Sequence, residues 1–255
     1  MTRVLVVAGL DPSGGAGLMA DLEALAGVGA RGWAVAAVLT AQGPAGVRGW
    51  SPVPPDLLLA QLDALLDGPG GGRRGRRGDD RPRAIKTGML GTVELALALC
   101  DRLTAPDLAG VPLVLDPVLR SSSGTALFDP GGASPGQALE PLLARARLAT
   151  PNLPELEALT GLDVSTDQAA AKAARQLPSR AVLVKGGHRD GPPHDLLVER
   201  RRVTRLEGVR RPGTARGTGC RLASALAGLL ARGATLPEAA LGAKRLVERY
   251  LDAGG

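Results

Sequence analysis

Arg3-Val-Leu-Val-Val-Ala8 runs straight into Gly9-Leu-Asp-Pro-Ser-Gly-Gly-Ala-Gly17, and Leu18 to Ala26 then has helical composition. An unbroken aliphatic run marks a strand covered on both faces, as in a parallel sheet. The loop after it is too rich in Gly, Pro, Asp and Ser to continue any regular element. Strand, loop and helix in that order open a βα unit, and the pattern repeats along the chain. Trp33 to Thr40 reads as a second buried strand, ending at Ala41-Gln42-Gly43-Pro44, and Pro55 to Leu66 as a helix with proline at its start. Ala84 to Leu90 is a short strand and turn, and Thr92 caps a helix running to Arg102. Val111 to Leu115 is a strand with Asp116 at its end, followed by a helix near 138–146 and another over 167–176. Ala181 to Lys185 is a strand, Asp195 to Glu207 a hairpin with a charged face, and Pro237 to Leu251 the last helix. Strands alternating with helices predict one α/β domain over residues 1–255, with a mostly parallel central sheet and helices on both faces.

Composition narrows the function. Hydrophobic residues make up 44% of the 255, which is globular rather than disordered. Only four aromatic residues occur (Trp33, Trp50, Phe128 and Tyr250), too few for a base-stacking surface. The two cysteines, Cys100 and Cys220, make no disulfide framework, and no apolar run reaches membrane-spanning length, so a cytoplasmic protein is expected. The net charge of +6 is local: residues 68–83 hold six arginines and two aspartates among glycines, a net +4. That stretch reads as a flexible basic surface loop, and a nucleic-acid partner is not expected.

In a parallel sheet the ligand sits beyond the carboxyl ends of the strands. There the sequence collects Asp11, Gln42, Lys86, Asp116, Asn152 with Glu155, and Lys185. Gly213-Thr-Ala-Arg-Gly-Thr-Gly-Cys220 then opens an apolar helix, and a glycine loop before a helix presents free N–H groups and a positive dipole end to an anion. The dipole is expected to lower the Cys220 pKa, with Arg216 and Arg221 adding to it if they point inward. Gly27, Gly29 and Gly32 spell G-x-G-x-x-G, but they follow a helix instead of joining a strand to one, so they are no dinucleotide fingerprint; Gly27 reads as a C-cap. No G-x-x-x-x-G-K-[ST] occurs.

The inventory suits phosphoryl transfer, which needs donors for spread negative charge, carboxylates for Mg2+ and a positioned acceptor. The loop supplies donors, Lys185 a phosphate contact, and Asp116 with Glu155 a seat for hydrated Mg2+. Each residue also has a structural reading: Lys185 in a surface pair, Asp116 at a turn, Asn152 and Glu155 as a helix cap.

Six ordered motifs carry a resemblance: Gly9 to Leu22, Lys86-Thr-Gly-Met-Leu90, Leu115-Asp-Pro-Val118, Thr150-Pro-Asn-Leu-Pro-Glu155, Val184-Lys-Gly-Gly-His188 and Gly217-Thr-Gly-Cys220. Together they resemble the hydroxymethylpyrimidine/phosphomethylpyrimidine kinase family, of ribokinase-like three-layer fold. The resemblance implies ATP-dependent phosphorylation of 4-amino-5-hydroxymethyl-2-methylpyrimidine and then of its monophosphate, in a homodimer. It makes Gly217, Thr218, Gly219 and Cys220 the anion hole, with Cys220 the candidate base. Gly9, Asp21, Gln42 and Met89 fall on the pyrimidine pocket, Asn152 and Lys185 on the nucleotide phosphates, and Asp116 and Glu155 on Mg2+. Ala215, Arg216 and Arg221 depart from the family's usual residues, as does Glu23, which stands where lysine is common. Pyridoxal kinase on the same fold and a catalytically silent pyrimidine binder are the alternatives.

Overall fold

The computed structural model describes residues 2–67, 81–187, 192–210 and 215–254. Most of the basic 68–83 stretch, together with Gly213, Thr214 and His188, lies outside them.

Strand β1 (Arg3–Leu10) is third from one edge of a sheet that has nine strands among the described residues, and it pairs in parallel on both sides. Its neighbours are β2 (Arg31–Gly43) and β4 (Ala84–Thr87); beyond β4 come β6 (Leu113–Leu115), β8 (Leu148–Ala149) and β9 (Ala181–Val184), all parallel. Antiparallel strands close both edges. β3 (Gly46–Pro52) folds back on β2, and the hairpin of β10 (His194–Glu199) and β11 (Val203–Glu207) extends from β9. The short β5 (Gly91–Thr92) and β7 (Phe128–Asp129) pair apart from the main sheet.

Because side chains alternate across a strand, β1 feeds two cores. Leu5 and Val7 pack with α2 (Pro55–Leu66), α3 (Val93–Thr104), α4 (Pro135–Arg145), α5 (Leu153–Thr160) and α6 (Asp167–Ala174). Val4, Val6 and Ala8 pack with α1 (Gly17–Gly27), α7 (Thr218–Ala231) and α8 (Leu236–Asp252). That is why the opening run is apolar at every position. Leu222 and Leu226 of α7 reach the second core, as the apolar spacing of that segment requires.

Three local expectations need correction. β3 was not foreseen, because Gly46-Val-Arg-Gly-Trp-Ser-Pro52 is polar and mostly exposed, and pairing with β2 supplies its order. Gly27 does not cap α1: it is the last helical residue, Val28 is the cap, and Gly29 takes the left-handed turn at φ +71°. The strand expected from Trp33 to Thr40 extends in both directions, to Arg31 and Gly43. Among the described residues no helix is long and apolar enough to cross a membrane.

Candidate active site

The parallel strands end at a cavity of about 690 Å³, within the range of small-molecule sites. Gly217, Thr218, Gly219 and Cys220 line it, as do Gly9, Gln42, Met89, Asp116, Asn152, Glu155 and Lys185. Eleven of the twelve residues expected at the site therefore meet around one space.

The anion loop is built by glycine. Gly217 is the N-cap of α7 at φ +70°, and a Cβ there would run into the Gly15 carbonyl oxygen. The first bond closed back onto the cap is Arg221 N–H to the Gly217 carbonyl at 2.9 Å, and no side chain caps the helix. The N–H groups of Thr218, Gly219 and Cys220 precede that first closed turn, where a helix has no intrahelical acceptors for its donors. A Cβ on Gly219 would lie 3.3 Å from Lys185 Nζ, so the loop and this ammonium adjoin.

Lys185 donates to Asp116 Oδ1 at 2.8 Å and lies 3.5 Å from Glu155 Oε2. Burial opposes its charge, but the two carboxylates outweigh burial and hold its pKa above the ordinary lysine value. Burial pushes the Glu155 carboxyl up, Lys185 opposes that, and nearby Asp116 adds to it. Asn152 and Glu155 form a reciprocal capping box at the start of α5, with Glu155 Oε2 accepting from the Asn152 N–H at 2.7 Å. The capping and the site readings hold together, since the capped helix end fixes both side chains at the cavity wall. Two carboxylates sharing one ammonium fit a hydrated Mg2+, which takes one or two carboxylates and keeps waters. Among the described residues no group of three or more His, Cys, Asp and Glu side chains is placed to hold a metal.

Asp21 is the exception: it does not line the cavity. Its carboxylate is fully buried and takes Lys86 Nζ on both oxygens, at 2.7 and 2.8 Å, and the Ser224 hydroxyl at 2.7 Å. An amphipathic α1 turns this position inward, so Asp21 serves the site by holding Lys86, which does reach the cavity. Burial disfavours the Lys86 charge, while Asp21, then Cys220 and Asp116, keep its pKa raised. Lys86 and Asp11 were legible only as polar residues at strand ends. The signal for Lys86 was an ionisable side chain inside the short Ala84-Ile-Lys-Thr87 strand.

The expected low pKa of Cys220 is also corrected. Burial pushes the thiol up to about 11, with Asp21 and Asp116 adding to the rise; Lys86 and the Gly17 N–H donated to its sulfur pull the other way. At neutral pH the site holds a thiol. Nor do both arginines point inward. Arg221, 4% exposed, donates to Glu23 at 2.7 Å and to the Gly15 carbonyl at 3.0 Å, and its guanidinium stacks 3.8 Å from the Tyr250 ring centroid. The two departures at 23 and 221 thus satisfy one another. Arg216 does line the cavity, donating to Asp11 at 2.8 Å and to the Ser13 hydroxyl at 3.2 Å.

A six-strand parallel core, an open helix N-terminus and a cavity holding separate anion-binding and carboxylate walls define a small-molecule kinase of the ribokinase-like class. A family model described as phosphomethylpyrimidine kinase matches residues 11–254. The hydroxymethylpyrimidine/phosphomethylpyrimidine kinase of Streptomyces coelicolor is 38% identical over 98% of this chain and 89% of its own length. The thiamine biosynthesis bifunctional protein ThiED of Geobacter sulfurreducens is 39% identical over 96% of this chain, which spans only 48% of that protein. Among solved structures, the phosphomethylpyrimidine kinase of Clostridium difficile superposes with TM-score 0.79 at 30% identity, covering 98% of this chain and all of that one. The pyridoxal kinase of Staphylococcus aureus, in complex with AMP-PCP and pyridoxal, superposes with TM-score 0.81 at 28% identity, covering 97% of this chain and 87% of its own. The chain belongs to the phosphomethylpyrimidine kinase family.

Proposed function

We propose that this chain transfers the γ-phosphoryl group of ATP to the hydroxymethyl oxygen of 4-amino-5-hydroxymethyl-2-methylpyrimidine, and then phosphorylates the monophosphate, in thiamine biosynthesis. The observation that carries the reading is one cavity lined both by the open end of α7 and by residues from the carboxyl ends of the sheet strands. Gly9, Gln42 and Met89 come from β1, β2 and the turn after β4, whereas Asp116, Asn152, Glu155 and Lys185 follow β6, β8 and β9 on the other side of the sheet order.

On this reading the pyrimidine rests against Met89, which packs on Gly9 closely enough that a Cβ there would meet its sulfur at 3.1 Å. Gln42 offers the donor and acceptor that an aminopyrimidine edge requires. Lys185 and Asn152 hold the nucleotide phosphates. Asp116 and Glu155 would hold Mg2+, which would supply neutralisation of the phosphate charge. The acceptor oxygen forms its bond to the γ-phosphorus as the bond to ADP breaks, and the hydroxyl proton passes late to the thiolate form of Cys220. The N–H groups of Thr218, Gly219 and Cys220 bind the charge spread over the transferring oxygens, which is where most of the catalysis lies. Cys220 is the group beside the acceptor.

ATP consumption measured side by side with hydroxymethylpyrimidine, its monophosphate and pyridoxal tests the proposal. Turnover of pyridoxal alone would favour the second reading, pyridoxal kinase, which the Staphylococcus aureus likeness motivates. Binding without turnover would leave a silent pyrimidine binder. The proposal includes a cytoplasmic location and a homodimer; light scattering of the purified protein checks the latter.

A further inference from the structure

The cavity is lined by four cationic side chains among the described residues: Lys86, Arg120, Lys185 and Arg216. Three are held away from the Asp11–Gly17 loop. Lys86 grips both oxygens of Asp21 beneath the site. Lys185 belongs to Asp116 and Glu155 on the nucleotide side. Arg120 donates to the Gly124 carbonyl within the segment that follows β6. Arg216 alone rests on the Asp11–Gly17 loop, which continues directly from Gly9 at the acceptor wall.

Its partner has other donors as well. Asp11 is 2% exposed, and its carboxylate already accepts from the Ser13 N–H at 2.9 Å, the Ser13 hydroxyl at 2.7 Å and the Ala16 N–H at 3.0 Å. Three donors nearly fill an ionised carboxylate, so Asp11 keeps three hydrogen bonds when Arg216 turns toward a ligand. The two bonds found for Arg216 use two of its five N–H groups.

The two acceptors differ in what they ask of this wall. An alcohol arrives neutral, whereas a phosphate monoester brings a charge of about −1.5 to −2 at neutral pH. Such a charge is costly to desolvate unless a cation and hydrogen bonds meet it. On the kinase reading the N–H groups of α7 serve the transferring phosphoryl group, which leaves the charge of the acceptor to another group. We infer that Arg216 is the specificity residue for a phosphorylated acceptor, receiving the monoester phosphate through its planar fork. The inference rests on the kinase reading above and assigns one residue to its second step.

The experiment measures kcat and KM for the alcohol and the monoester with wild type, Arg216→Ala and Arg216→Lys, alongside the thermal midpoint and calorimetric binding of the monoester without ATP. In Arg216→Ala the ratio of monoester to alcohol kcat/KM should fall roughly 10- to 100-fold, mainly through KM, with calorimetric affinity falling in step. Arg216→Lys, which keeps the charge and loses the fork, should recover part of the ratio. Equal losses for both acceptors would make Arg216 a strut between the two loops and overturn the inference, as would an unchanged ratio. A wild type that turns over neither acceptor would bring down the kinase reading itself, and the inference with it.

Discussion

Replacing Cys220 with alanine, with Cys220→Ser as a size-matched control, separates two roles that the sequence alone merges. The thiol is pushed up to about 11, first by burial. About four pH units below that value the thiolate is roughly one molecule in 10⁴, and forming it costs about 5 kcal/mol. A base that acts from so scarce a form makes kcat/KM climb about tenfold per pH unit, because that parameter reports the free enzyme's base. The alanine variant lacks the climb but keeps the N–H groups of Thr218 and Gly219. The ratio of wild-type to Cys220→Ala kcat/KM, measured with hydroxymethylpyrimidine at saturating ATP, should therefore grow about 100-fold between pH 7 and 9. It should approach the 10²–10⁴ range of general-base effects at higher pH. Taking the ratio cancels the titration of ATP. The same shift also acts on the fold. A thiol raised above its unfolded value of about 8.5 contributes stability that is complete below that pH and is lost as pH rises through about 11. Staying at or below pH 9, with the thermal midpoint followed, keeps unfolding out of the comparison. Parallel pH profiles for wild type and variant would refute the base role and leave catalysis to the backbone donors.

Asp21→Asn strands the buried Lys86 ammonium, so it should cost about 3–5 kcal/mol and lower the thermal midpoint by roughly 10 °C; a large rise in pyrimidine KM without that loss would put Asp21 back in the pocket. Arg221→Leu removes a stacked, buried guanidinium and should cost about 2 kcal/mol. Glu23→Ala should cost under about 1 kcal/mol, because Glu23 is 64% exposed and its side of the pair is screened by solvent; calorimetric midpoints showing equal losses would contradict this. Asp116→Asn should raise the Mg2+ concentration for half-maximal turnover about tenfold or more, as loss of a water-mediated metal contact does. Its pyrimidine affinity, measured by calorimetry, should stay close to wild type.

Local chemistry made much of this protein legible. The unbroken aliphatic runs of β1 and β9 declare strands covered on both faces, because no pattern of period two survives when both sides are buried. Thr92 and Asn152 declare helix starts, since capping is settled within four residues. The glycines before α7 declare a backbone that must come close to something, and Gly217 does so at φ +70°. Strand-end polarity and the family resemblance together named twelve site residues, and eleven of them line one cavity. What stayed hidden depends on contacts between distant segments. Arg221 looked like a phosphate ligand until Glu23, 198 residues away, and Tyr250 were seen to claim its guanidinium. Asp21 looked like a pocket residue until Lys86, 65 residues on, took both its oxygens. The helix N-terminus suggested a reactive thiolate at Cys220, but burial raises the thiol and Asp21 and Asp116 add to the rise, with Lys86 opposing them. Composition and spacing are written along the chain, whereas desolvation and charge pairing exist only once remote segments have packed.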